Sequence, residues 1–180
     1  WGDFGREYVE RVGPGGVEIL ERAERLQRVA ARFGASLPLE DAVRYVEEHG
    51  PSALNAWAED YAAERWGEWA REYVAERGVK TLDTLQHYEA AEEKARQIGV
   101  EMDRDALLKI AERWGEEAPD RVVEIAAERL AREYGLRGIE ADIARDLEAY
   151  GLEAVKSKIE EAIRRAKESG EDPRDVYKSL

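Results

Sequence analysis

The chain has 180 residues, 43% of them hydrophobic, and no cysteine. At this length about 70% of the unfolded surface can be buried, and the lack of cysteine excludes a disulfide framework, a thiolate nucleophile and a thiolate zinc site. The 41 acidic side chains outnumber the 28 basic ones, and the net charge of −13 works against binding to nucleic acid or to an anionic membrane.

Apolar residues recur at helical spacing along almost the whole chain, and no segment alternates as a strand does. The pattern predicts an all-α fold in a single domain over 1–180, a compact bundle of about nine to ten helices arranged as irregular helical hairpins. No membrane-spanning run or signal peptide is recognisable, so we expect a soluble protein. The predicted helices cover residues 3–12, 17–33, 38–49, 52–77, 81–98, 103–114, 119–134, 139–150, 152–169 and 173–179.

Capping residues and glycines mark the ends of these helices. Asp103 is predicted to cap one helix, and Asp172 is predicted to cap the last helix, which begins at Pro173. Positions after helix ends that suit glycine are Gly34, Gly99, Gly135 and Gly151. Ion pairs are expected on exposed helix faces between Glu21 and Arg25, Glu24 and Arg28, Glu128 and Arg132, Glu160 and Arg164, and Glu161 and Arg165.

A weak internal repeat is the most informative feature of the sequence. Gly34 to Gly50, Gly99 to Gly115 and Gly135 to Gly151 are each sixteen residues apart, each interval holds one short helix, and a longer helix follows the second glycine each time. The unit resembles a helical-hairpin repeat that buries its apolar stripe against its neighbours. The spacing between units is irregular, which favours a compact bundle over an open superhelix.

The helix predicted at 52–77 carries a concentration of aromatic residues. The spacing of Trp66, Trp69 and Tyr73 places these three side chains on one stripe, with Trp57 and Tyr61 one or two turns earlier. Such a stripe could line a ligand pocket, stack nucleobases or form an interface, but ordinary core packing is the favoured interpretation. Whether the stripe of Trp57, Trp66 and Trp69 is core or a binding surface stays open at this stage.

The two histidines limit any imidazole chemistry to His49 and His87. His49 occupies the same repeat position as Trp114 and Tyr150, which favours a flat ring that fills a packing slot at a helix end over a ligand role. His87 follows Asp83 by one turn, a spacing that suits a carboxylate orienting an imidazole, but no second cluster of metal ligands accompanies it. A surface pair is the favoured interpretation.

Two other segments are weak candidates for binding anions. The turn at 13–16 opens a helix whose amides could hold phosphate, but no strand precedes it and no Lys-Ser or Lys-Thr follows. The basic residues near the C-terminus, which are Arg137, Lys156, Lys158, Arg164, Arg165 and Lys167, are interleaved with glutamates, which favours a solvated face. We therefore expect no enzyme, no catalytic, cofactor-binding or metal-binding residue, no cofactor, no nucleic acid or membrane partner, and a monomer.

Clear helix-end signals, short loops and a composition poor in methionine and asparagine are found along the whole chain. Helix ends are clearly marked, as in Ser169-Gly170-Glu171-Asp172-Pro173-Arg174, loops are short, and the chain has one methionine and one asparagine. In these respects it resembles a computationally designed all-helical protein. This resemblance implies a thermostable scaffold without biochemical activity. The alternative is a natural helical-repeat interaction or assembly protein of a thermophile, either a partner-binding protein or a virion or nucleoprotein subunit, since Arg exceeds Lys and five tryptophans are present.

Overall fold

Helices account for nearly all of the regular structure in the computed structural model, which describes residues 1–180. The helices are α1 (Gly2–Val12), α2 (Gly16–Arg32), α3 (Leu39–His49), α4 (Ala53–Trp66), α5 (Glu68–Arg77), α6 (Thr81–Ile98), α7 (Arg104–Trp114), α8 (Ala118–Tyr134), α9 (Glu140–Tyr150), α10 (Leu152–Ser169) and α11 (Pro173–Ser179). Single 3₁₀ turns at Gly50–Ser52 and Gly115–Glu117 precede α4 and α8, and no strand is present. The all-α prediction is confirmed. None of these helices combines the length and the apolar character that crossing a membrane requires.

The chain divides into two compact units, unit 1 at Trp1–Asp83 and unit 2 at Thr84–Leu180, with the boundary inside α6. The expectation of a single domain stays a prediction. Each unit has an apolar core, and no polar or charged residue is fully buried anywhere. Every charged group can therefore keep its hydration or an ion-pair partner, which avoids the cost of desolvating an unpaired charge.

The core of unit 1 forms because α2, α3 and α4 each present a stripe of small and aliphatic side chains. Leu20, Ala23 and Leu26 lie on one face of α2 and are almost completely buried. Helix α1 is attached to this layer by a hydrogen bond in which the Tyr8 hydroxyl donates to Glu47 of α3 at 2.5 Å. Burial and this hydrogen bond raise the pKa of Tyr8 to about 12, so the hydroxyl stays a donor at neutral pH.

Unit 2 is built in the same way and is extended by α9, α10 and α11. Ile143 and Leu147 of α9 and Ile159 of α10 are completely buried, and Tyr177 of α11 joins the same core. The Tyr177 hydroxyl donates to Asp146 at 2.6 Å, and the Lys158 ammonium donates to the same carboxylate at 2.8 Å. These contacts tie α9, α10 and α11 together with one charged hydrogen-bonded cluster.

The internal repeat is confirmed for its first two copies, which are related by a shift of 65 residues. Gly50 has φ 54° and ψ −126°, and Gly115 has φ 54° and ψ −125°. The same positions are buried in both copies, as in the pairs Leu20 and Leu85, Ala30 and Ala95, Phe33 and Ile98, Ala42 and Leu107, Ala53 and Ala118, Trp57 and Val122, and Ala58 and Val123. The third copy departs from them, because α10 begins directly after Gly151 without a 3₁₀ turn.

The prediction of one continuous helix over 52–77 is wrong. The chain breaks at Gly67, which adopts φ 110° and ψ 172° and whose amide donates to the Ala63 carbonyl at 2.9 Å. This conformation is open almost only to glycine. Helix α5 then folds back along α4, so that Arg71 reaches Asp60. The sequence pattern missed the break because a single glycine inside an amphipathic run is tolerated in many helices.

The predicted caps are confirmed, and the predicted surface pairs only in part. Asp103 accepts a hydrogen bond from the Ala106 amide at 2.8 Å, and Asp172 accepts one from the Arg174 amide at 2.9 Å. Of the expected ion pairs, those between Glu24 and Arg28 and between Glu161 and Arg165 form. The other three expected pairs do not form. Arg164 pairs with Glu161 and Glu168 instead of Glu160, and Glu128 pairs with Arg121 instead of Arg132. No ion pair joins Glu21 to Arg25. Arginine is long enough to choose among several partners on a helix surface.

Candidate functional site

Unit 1 carries a groove of about 730 Å³ that is lined by charged and aromatic side chains. It lies where α3 and α4 meet the loop that follows α2, and we call it the aromatic groove. Its lining residues are Ala35, Ser36, Leu37, Pro38, Asp41, Arg44, Tyr45, Glu48, His49, Trp57, Asp60, Tyr61, Glu64 and Arg65. A second, apolar cleft of about 350 Å³ lies between α2 and the start of α4, with Leu26, Val29 and Leu54 among its lining residues.

Stacked rings form the floor of the aromatic groove. The rings of Trp57 and Tyr61 stack with their centres 5.2 Å apart, and Trp57 packs in turn against Phe33 at 6.5 Å. The Tyr61 hydroxyl donates to the Phe33 carbonyl at 3.1 Å and accepts from Arg65 at 2.7 Å. Because Trp57 is buried and Tyr61 is held at both its ring and its hydroxyl, the floor is rigid.

A hydrogen-bonded cluster of Tyr45, Asp60 and Arg71 closes one side of the groove. The Asp60 carboxylate accepts from the Tyr45 hydroxyl at 2.6 Å and from the Arg71 guanidinium at 2.5 Å. Burial alone would raise the pKa of Asp60, but these two hydrogen bonds lower it below its ordinary value. Burial and the same carboxylate raise the pKa of Tyr45. At neutral pH the carboxylate is therefore ionised and the hydroxyl protonated, so both groups are fixed partners in a binding surface.

His49 lies at the rim of the groove rather than in a packing slot. Its side chain is 42% exposed, its ring stacks on Tyr45 at 6.0 Å, and its Nε2 lies 3.8 Å from Glu48. The packing-slot interpretation is wrong, and Tyr150, at the equivalent position in the third copy of the repeat, is 72% exposed. Trp114, at the equivalent position in the second copy, is half-buried, with the Arg121 guanidinium 5.2 Å from the centre of its ring.

The aromatic stripe predicted on one continuous helix is divided between two helices. Trp66 belongs to α4 and meets Tyr61 edge-on at 5.9 Å, whereas Trp69 belongs to α5 and meets Tyr73 at 6.4 Å. The buried Trp66 indole nitrogen has no hydrogen-bond partner. The three tryptophans therefore differ in burial: Trp57 is buried core under the groove, and Trp66 and Trp69 are half-buried.

The other residues considered from the sequence do not come together into a site. His87 is half-buried in α6 with Asp83 exposed one turn away, and no hydrogen bond or ion pair joins them. No group of three or more His, Asp or Glu side chains is arranged to hold a metal ion. In the basic stretch near the C-terminus, Lys158 pairs with Asp146 and Arg165 pairs with Glu161, so those two charges are neutralised locally.

The internal repeat provides a comparison for the aromatic groove inside the same chain. Shifting the groove residues by 65 positions gives apolar residues at the centre of the corresponding surface in unit 2: Tyr45 corresponds to Ile110, Asp60 to Ile125, Tyr61 to Ala126 and Arg65 to Leu130. Ile110, Ala126 and Leu130 are buried in unit 2. The same local fold therefore forms without the tyrosines, the carboxylate or the guanidinium that line the groove in unit 1.

Sequence reasoning had a signal that could have found the groove. The glycine repeat aligns the first two copies, and within that alignment Tyr45, Asp60 and Tyr61 lie at positions where the second copy has the apolar residues Ile110, Ile125 and Ala126. Comparison with protein-family models, with curated proteins and with solved structures found no match for the chain. The functional interpretation therefore depends on the geometry and chemistry of the groove itself.

Proposed function

We propose that the chain is a helical-repeat binding protein, not an enzyme, and that the aromatic groove receives a segment of a partner. The observation that carries this proposal is the difference between the two copies of the repeat. Where unit 2 has Ile110, Ile125 and Ala126, unit 1 has a rigid set of aromatic and charged groups that the fold does not need. Stacked rings with fixed polar partners are typical of protein recognition surfaces.

The chemistry of the groove supports binding over catalysis. A general acid or base works best with a pKa near the operating pH. The pKa of Asp60 is lowered and that of Tyr45 is raised, so both move away from neutrality. Both groups are also occupied by hydrogen bonds to each other, and Asp60 additionally accepts from Arg71.

Selection from a random peptide library tests this proposal. The bait is the whole chain, and the comparison bait carries the residues of the second repeat copy, Tyr45→Ile, Asp60→Ile and Tyr61→Ala. A chain with Tyr150→Ala serves as the control, because that ring is exposed and lies in unit 2. We expect peptides that bind the wild-type and control chains and that bind the groove variant at least about tenfold more weakly. Selected peptides that bind all three chains equally would refute the proposal.

The second candidate function is that of a stable scaffold without biochemical activity. It is favoured by the many ion pairs between residues three or four apart on exposed helix faces, among them Arg22 with Glu18 and Arg96 with Glu92 and Glu93. Such pairs stabilise helices locally and specify no partner. A selection that yields no peptide specific for the wild-type chain, together with a monomer that carries no bound mass in native mass spectrometry, would favour the scaffold.

A further inference from the structure

We infer that the occupant of the aromatic groove is a polypeptide segment bearing arginine or lysine side chains. This inference depends on the proposed function and specifies its partner. The groove is lined by four carboxylates, on Asp41, Glu48, Asp60 and Glu64, against two guanidinium groups, on Arg44 and Arg65. It is thus an acidic surface with an aromatic floor, on a chain whose net charge is −13.

Two of the four carboxylates are not neutralised by cationic side chains of the fold. Asp41 pairs with Arg44 at 2.8 Å, and Asp60 pairs with Arg71 at 2.5 Å. Glu64 makes no hydrogen bond or ion pair, and the one polar partner of the Glu48 carboxylate is the imidazole Nε2 of His49 at 3.8 Å. Glu48 of α3 and Glu64 of α4 therefore offer two carboxylates without a guanidinium or ammonium partner on two sides of the same groove, where an incoming cation can pair with them.

The repeat shows that these two carboxylates are particular to the groove. Shifted by 65 residues, Glu48 corresponds to Arg113 and Glu64 corresponds to Arg129. The charge is reversed at both positions while the local backbone is retained. A helix of this kind therefore accepts either sign of charge at these places, and folding does not require acid in unit 1.

The aromatic rings add a second source of attraction for the same class of ligand. Cations bind over the faces of tyrosine and tryptophan rings, and the fold already uses this contact, since the Arg65 guanidinium lies 5.3 Å from the centre of the Trp66 ring. The Arg65 guanidinium also lies 6.0 Å from the centre of the Tyr61 ring, so a guanidinium or ammonium group that enters the groove can contact the Tyr45 ring and one of the unpaired carboxylates. Phosphate groups of a nucleic acid would instead meet the excess of carboxylates.

Fluorescence anisotropy with three labelled peptides tests the inference. The first peptide is an alanine-rich nonamer with two arginines, the second has citrulline in place of both arginines, and the third has glutamate. Citrulline keeps the shape of arginine and removes its charge. We expect the arginine peptide to bind at least about tenfold more tightly than the other two at 0.15 M salt.

Charge reversal to the residues of the second repeat copy locates the site. The variant Glu48→Arg with Glu64→Arg is compared with the variant Glu10→Arg with Glu21→Arg, which changes the net charge equally at exposed glutamates outside the groove. We expect the first variant to lose at least about tenfold in affinity for the arginine peptide and the second to stay within about twofold of wild type. Equal losses in both variants would show a general attraction to an acidic protein and would overturn the inference.

The outcome of the library selection separates the two proposals. If selected peptides bind the groove but contain no excess of arginine or lysine, and the arginine peptide binds no better than its citrulline form, the inference about the partner fails and the binding function stands. If neither selected peptides nor the arginine peptide discriminate between the wild-type chain and the groove variants, both fail.

Discussion

The cluster formed by Tyr177, Asp146 and Lys158 gives a stability prediction that can be worked out from the structure. Tyr177 is completely buried, and its hydroxyl donates to the Asp146 carboxylate, whose side chain is 18% exposed and also accepts from Lys158. The change Tyr177→Phe keeps the ring and removes only this hydrogen bond. A hydrogen bond to a charged group contributes about 1.5–3 kcal/mol, and because Lys158 still neutralises the carboxylate, we expect a loss at the lower end, about 1.5–2 kcal/mol.

The pH dependence of this loss has a definite sign. Burial alone would raise the pKa of Asp146, but the hydrogen bonds from Lys158 and Tyr177 lower it in the folded state. A carboxyl group whose pKa is lowered by folding contributes stability that is present above its unfolded pKa, about 3.9, and is lost as the pH falls through the folded value. Because the unfolded pKa is the same in both proteins, the difference between wild type and Tyr177→Phe should be complete at pH 7 and shrink only as the pH falls through the lowered folded-state pKa of Asp146.

Urea denaturation followed by far-ultraviolet circular dichroism measures both effects. The control is Tyr150→Phe, because Tyr150 is 72% exposed. Loss of the Tyr150 hydroxyl should change the free energy of unfolding by less than about 0.5 kcal/mol. Equal stabilities of Tyr177→Phe and wild type at pH 7, or a difference that grows as the pH falls, would refute the assignment of this cluster as a stabilising charged hydrogen bond.

Three further predictions concern a turn, a cap and an exposed carboxylate. Gly67→Ala should destabilise the chain by at least about 1 kcal/mol in urea denaturation, because φ is 110° at that position. The control Gly15→Ala, at φ −64° in open space, should be neutral or slightly stabilising. Equal effects of the two substitutions would contradict the helix break at Gly67. Asp103→Ala should lose about 1 kcal/mol in the same measurement because it removes the helix cap, and an unchanged midpoint would contradict this. The pKa of Glu161, lowered to about 2 by hydrogen bonds from two neighbouring arginines, should be measurable by carbon-detected titration and should rise in 1 M salt; a value near 4 at low salt would show that these bonds do not persist in solution.

Local rules were enough to predict most helices, because each helix end carries its own chemical marker. Asp103 and Asp172 cap the helices that were assigned to them, and Gly34 and Gly99 lie in left-handed conformations after α2 and α6. The break at Gly67 was not predicted, because it depends on how α5 packs against α4 and not on the local pattern alone. Tertiary contacts such as that between Arg71 and Asp60 decide such cases.

The candidate site was less predictable than the fold. Tyr45 and Asp60 are separated in sequence and meet only because α3 and α4 pack side by side. The sequence pattern predicts packing positions for His49 and Trp57 separately and does not indicate that the two residues lie at one groove. His49 did prove to line the groove, but at its exposed rim, and Trp57 lies beneath it as buried core. The alignment of the two repeat copies is the sequence feature that singles out the groove, because it shows which polar residues the fold does not require.

Chemical-shift mapping of the arginine peptide on the isotope-labelled whole chain tests the central claim most directly. The account predicts that shift changes on titration concentrate in the loop at 35–38, in α3 and in α4, with Tyr45, His49 and Glu64 among the most affected residues. It also predicts that the surface of α7 and α8, which carries Arg113 and Arg129, does not respond. Shift changes spread over acidic faces of both units, or no change at the groove at saturating peptide, would contradict the claim that this groove is a binding site for a basic polypeptide segment.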